Sequence, residues 1–98
     1  DARIRFLPVE PLLEDRGGID LRDIHWVIVG GESGHKARPM REEWVANVQV
    51  QAEAAGAAFF FKQWGGWGAD GVKRHKKANG REFKGRTWDA YPTHAGLA

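Results

Sequence analysis

The sequence predicts an α/β fold, either a partial β/α barrel or a small open parallel sheet, with a basic hairpin near its C-terminal end. Three stretches predict it. Residues 25–29 read His-Trp-Val-Ile-Val, a strand apolar on both faces that runs into Gly30-Gly31-Glu32-Ser33-Gly34. A strand of that kind needs cover on both sides, which parallel sheets receive from packed helices. Trp44, Val45, Val48, Ala52 and Ala55 recur at helical spacing and make one apolar stripe. Residues 58–62, Ala-Phe-Phe-Phe-Lys, form another strand. Strand, helix and strand in that order make a parallel pair joined by a crossover, right-handed in nearly every known protein.

The elements follow in order. A first strand near residues 4–9 contains Pro8, which lacks an amide hydrogen and confines the strand to a sheet edge or to its own last residues. Pro11 suits the first turn of a short helix over residues 12–14, which Gly17-Gly18 would end. The main helix spans about residues 41–55. Glu42 and Glu43 favour its N-terminal dipole, Gln49, Gln51 and Glu53 fall on its other faces, and Gly56 ends it. From Gly65 onward the texture changes to glycines and short β-like pieces at 72–75, 82–83 and 86–88. Asn79-Gly80 and Lys84-Gly85 are turn signals, so residues 66–98 read as a glycine-rich basic extension within one domain of residues 1–98. The last six residues are expected to fray.

Composition narrows the function classes. With no cysteine, the chain can supply no thiolate to an iron–sulfur cluster or a zinc site, and a cytoplasmic setting is the default. No apolar run approaches the roughly 20 residues of a membrane span, and none resembles a signal peptide. The net charge of +2 is uneven: residues 50–98 carry 8 Lys and Arg against 4 Asp and Glu, which places the basic character in the second half.

Each predicted strand ends in a polar residue: Glu10, Glu32 and Lys62. In a parallel sheet these tips share one edge, where ligands of α/β sheets and barrels bind. Glu10, Glu32, Ser33 and Lys62 are therefore candidates to line a polar cleft, and Gly30, Gly31 and Gly34 let the backbone turn sharply and come close to a ligand. The glycine-rich run also invites a phosphate-loop reading, although it matches neither G-x-G-x-x-G nor G-x-x-x-x-G-K-[ST]. His25, His35, His75 and His94 lack paired metal-ligand spacing, and His25 reads as structural. Ser33 lacks the G-x-S-x-G elbow of α/β-hydrolases. Lys73, Arg74, Lys76, Lys77, Arg81, Lys84 and Arg86, interleaved with Trp67, Phe83 and Trp88, form a basic and aromatic stretch. Such a stretch either tracks a nucleic-acid backbone or serves as a solvated surface.

Several motifs in fixed order resemble one family: Arg5-Phe6-Leu7-Pro8-Val9-Glu10-Pro11-Leu12-Leu13, residues 26–34, Ala37-Arg38-Pro39-Met40, Trp44-Val45, residues 59–65 and Gly85-Arg86-Thr87-Trp88-Asp89. They are similar to the C-terminal part of the bacteriophage Gp thirty-seven/Gp sixty-eight family of uncharacterised proteins. Members of that family are longer, and their N-terminal part carries a cysteine motif resembling that of radical S-adenosylmethionine enzymes. The resemblance implies the last strands of a β/α barrel, with Glu10, Glu32 and Lys62 at the mouth where such enzymes hold S-adenosylmethionine. It also implies a missing N-terminal barrel half as partner, and an iron–sulfur cluster held there and not here. Two departures stand out: the cysteines are absent, and Gly34-His35-Lys36-Ala37 stands where the family more commonly has proline after the glycine. The isolated chain is thus expected to be inactive, and its open sheet edges favour self-association. The alternatives are a nucleic-acid-binding module through residues 71–88 and a structural fragment without a ligand.

Overall fold

The computed structural model describes residues 3–92; the last six residues, expected to fray, and His94 among them lie outside this range. Three strands, β1 (Phe6–Val9), β2 (Trp26–Val29) and β3 (Ala58–Phe61), form an open sheet in the order β1-β2-β3. Both pairings are parallel, with Val9, Val29 and Phe61 in register, and the sheet does not close into a barrel. Pro8 sits on the edge strand, where its missing amide leaves no central ladder bond unmade.

Helix α1 (Glu42–Ala54) connects β2 to β3. Its end is a Schellman motif: the Ala57 amide donates to the Ala52 carbonyl and the Gly56 amide to the Glu53 carbonyl, with Gly56 at φ 75°. Val45, Val48 and Ala52 are fully buried against the sheet as the stripe predicts. Gln49 joins them at 5% exposure, a correction to its placement on a polar face. Position 49 lies four residues after Val45 and three before Ala52, and so on the same stripe. Its buried amide is satisfied by donating to Glu53 and accepting from Lys84 Nζ. Ala55, expected on the stripe, is exposed at the C-cap.

The strand alternation gives the sheet two unlike faces. Leu7, Val9, Val27, Val29, Phe59 and Phe61 share the α1 side; all but the half-buried Leu7, which packs against them, belong to the buried core. Phe6, Pro8, Trp26, Ile28, Ala58 and Phe60 share the other, where Phe6 is 57% exposed. Cover on both sides was expected of β2; among the described residues the second face is met by the 89–91 segment, with Asp89 bridged to Phe60, the Ala90 carbonyl accepting from Trp26 Nε1 and Tyr91 against Trp26 and Phe60, and by the Arg81 guanidinium over Phe60.

The expected short helix after Pro11 is absent. Leu12 is instead fully buried, and its amide donates across to the Gly30 carbonyl. The predicted hairpin is reduced to isolated bridges, Trp67 with Lys73 and Phe83 with Arg86, the second closed through Lys84 and Gly85 at positive φ. Asn79-Gly80 does not join two strands; it ends a four-residue helix, α2 (Lys76–Asn79), capped by the His75 side chain.

Candidate functional site

The tips of the three strands meet at the carboxyl edge of the sheet. One residue beyond the register of Val9, Val29 and Phe61 stand Glu10, Gly30 and Lys62. Lys62 Nζ reaches Glu10 Oε1 at 3.1 Å, so the two outer strands are bridged across the end of the central one. Gly30 makes room for this: a Cβ there would lie 3.0 Å from the Glu10 carboxylate. By strand alternation the pair belongs to the same face as Phe6, Trp26 and Phe60, away from α1.

Gly31 answers a different need. A Cβ at this position would fall 2.0 Å from the Trp64 carbonyl oxygen, and one on Gly65, at φ 88°, would fall 2.3 Å from the Glu32 carbonyl oxygen. The loops leaving β2 and β3 cross here backbone to backbone, tied by the Gly31 amide to Gln63 and the Gly66 amide to Glu32. With the Gly30 amide donating to Val9, neither leading glycine has an amide left for a phosphate.

Glu32 turns from its neighbours toward Arg38. Its Oε1 accepts from the Arg38 amide and Nε at 3.0 Å each, and its Oε2 from Nη2 at 2.9 Å. The Arg38 side-chain bonds, joined by the backbone bond, pull the carboxyl from 4.5 to about 2 and hold the Arg38 guanidinium more firmly protonated. Glu10 and Lys62 thus form one charge pair, Glu32 and Arg38 a second, and Ser33 stands exposed on the loop between β2 and α1.

A family model described as "Protein of unknown function (DUF5131)" matches residues 1–92. The chain belongs to this family. Its description names no reaction, and no curated protein and no solved structure matches the chain. Among the described residues, no three His, Cys, Asp or Glu side chains gather to hold a metal, and no helix is long and apolar enough to cross a membrane.

In this DUF5131 chain most basic residues of the second half pack against rings or a carboxylate. Arg86 lies 3.8 Å over the Trp88 ring, Lys84 5.4 Å over Phe83, Arg81 5.5 Å over Phe60 and Lys73 6.0 Å over Trp67. Arg81 Nη2 is buried without a hydrogen-bond partner. Arg74 is spanned by both oxygens of Asp70, whose carboxyl it draws from 3.8 to about 2. Lys76 and Lys77 project from α2. The rings are anchored too: Trp67 Nε1 donates to Ala37 and Trp88 Nε1 to Phe83. His25 has the structural use its position suggests, its Nδ1 accepting from the Arg5 amide at 2.9 Å.

Sequence reasoning missed Arg38 as the partner of Glu32. The six-residue spacing matches no regular element, and only the turn through Gly34, where the Ala37 amide returns to the Gly34 carbonyl, brings the two together.

Proposed function

We propose that the chain is the C-terminal α/β portion of a radical S-adenosylmethionine-like enzyme related to the bacteriophage Gp thirty-seven/Gp sixty-eight proteins. Its carboxyl edge, with Glu10, Gly30, Gly31, Glu32, Ser33 and Lys62, faces the cofactor or substrate. The observation that carries this reading is the Glu10–Lys62 pair laid over Gly30 at the shared end of three parallel strands. Ligands of open α/β folds collect at that end. A carboxylate beside an ammonium suits a zwitterionic amino-acid head, such as the methionine moiety of S-adenosylmethionine: Lys62 takes the carboxylate and Glu10 the ammonium. The half-covered aromatic face below the pair supports the same reading, since helix on one side and an apolar wall on the other describe a piece of barrel.

The residues present do not fit an iron–sulfur cluster, because the chain has no thiolate to ligate one. In the proposal the cluster belongs to an N-terminal half, which also packs against the open face of the sheet.

The test uses the full-length protein encoded by the reading frame that contains this chain. Titration with S-adenosylmethionine should show affinity falling about tenfold or more in Lys62→Met and Glu10→Gln, the range for losing a charge-assisted contact. Unchanged affinity in both variants, or a reading frame without a cysteine motif, overturns the assignment.

A further inference from the structure

The phosphate-loop idea fails at Gly30 and Gly31, whose amides are used, yet the chain builds a cavity with basic residues in its walls immediately beyond them. A cavity of about 480 Å³ opens between Ser33, Gly34 and His35 on one side and Arg74, His75 and Lys76 on the other. Lys73 ties the two walls together, its Nζ donating to the His35 carbonyl at 2.7 Å. The volume lies within the range of small-molecule pockets.

We propose that this cavity binds a small phosphate-bearing molecule. No Asp or Glu is among the residues that line it, while Ser33, His35, Arg74, His75 and Lys76 are. The amides of Ser33, Gly34 and His35 donate to no acceptor among the described residues, which leaves three free backbone donors in the loop that makes one wall. Asp70 neutralises Arg74, so the charge that attracts an anion is that of Lys76, which has no ion-pair partner among the described residues. His75 accepts the Lys77 amide through Nδ1, which puts its ring hydrogen on Nε2 and makes that nitrogen a donor. A nucleic-acid strand would need the cations in a line along the surface. Arg81, Lys84 and Arg86 lie instead over aromatic rings, while Arg74, His75 and Lys76 stand together at a concavity. The proposal is independent of the strand-edge reading, with which it shares Ser33 alone, so substitution of Lys62 leaves it untouched.

The experiment is an amide and imidazole NMR titration of the chain with inorganic phosphate, pyrophosphate, a nucleoside monophosphate and a single-stranded oligonucleotide without terminal phosphates. Phosphate and pyrophosphate should give saturable shifts confined to Gly34, His35, Gly66, His75 and their neighbours. Lys76→Glu should weaken pyrophosphate about tenfold, the scale of a charge-assisted contact, while Lys77→Glu, the same charge change one residue outside the cavity, should weaken it less than about twofold. If Lys76→Glu disturbs α2, His35→Ala in its exposed loop serves the same comparison with Lys77→Glu. Absence of saturable shifts with phosphate and pyrophosphate, equal losses in the paired variants, or binding of the oligonucleotide alone overturns the proposal.

Discussion

Residues 3–64 and residues 65–92 are held by different means. In the first region parallel ladders and one helix satisfy most of the regular backbone, side chains such as Gln51 and Asn47 tie down only the connecting loops, and the core side chains fill space: Val27, Val29, Val45, Val48 and Phe61 are completely buried. The second region has a four-residue helix and isolated bridges. Several of its carbonyls are met by side chains, Glu82 by Trp64 Nε1, Phe83 by Trp88 Nε1 and Gly65 by Asn79, beside short backbone turns. An indole supplies apolar area and one polar handle together, so a loop-rich stretch can be fixed without regular structure.

The largest expected effect belongs to the first region. Phe61→Ala removes a fully buried ring that contacts Trp64 and Phe83, and should lower stability by about 3–5 kcal/mol in urea unfolding. Trp88→Phe keeps a ring against Phe59 and Phe83 and removes the 2.6 Å indole bond to the Phe83 carbonyl, which still accepts from the Arg86 amide, a loss of about 1 kcal/mol or less. A Trp88→Phe cost as large as that of Phe61→Ala would show that the indole bonds hold the core itself and would erase the distinction.

The same contrast explains what could be read beforehand. Period-two and period-3.6 patterns mark elements whose partners are set by backbone geometry, and they located β2, α1, β3, the edge position of Pro8 and the common edge of Glu10, Glu32 and Lys62. The second region carries no such period. Its mixture of tryptophans and arginines suggested a surface for bases and phosphates, and no local pattern reveals that Trp64 reaches Glu82, eighteen residues on, or that Arg86 stacks on Trp88. Gly31 was legible as special but not as to why: the neighbour that forbids a side chain there is the backbone of Trp64, supplied by another strand's exit loop.

The Glu32–Arg38 clamp brings the comparison down to a single loop. Its carboxyl titrates at about 2 when folded against 4.5 ordinarily, so the folded state holds the proton less tightly. The stabilisation is therefore present above about 4.5 and is lost as pH falls toward 2. Carbonyl NMR of Glu32 should show the low midpoint, and Arg38→Met should return it toward 4.5; a midpoint unchanged in that variant would deny Arg38 its role.

The smallest expected effect is at the strand tips. Lys62 and Glu10 side chains are 50% and 30% exposed, so water screens their attraction, and Lys62→Met should change stability by about 1 kcal/mol or less. That weakness is itself the useful quantity. A ligand that inserts between the two charges must first separate them, and a pair that contributes little to folding gives little resistance. If Lys62→Met instead cost as much as Phe61→Ala, the bridge across Gly30 would be a structural bolt joining β1 to β3. The carboxyl edge would then be closed to the ligand proposed for it.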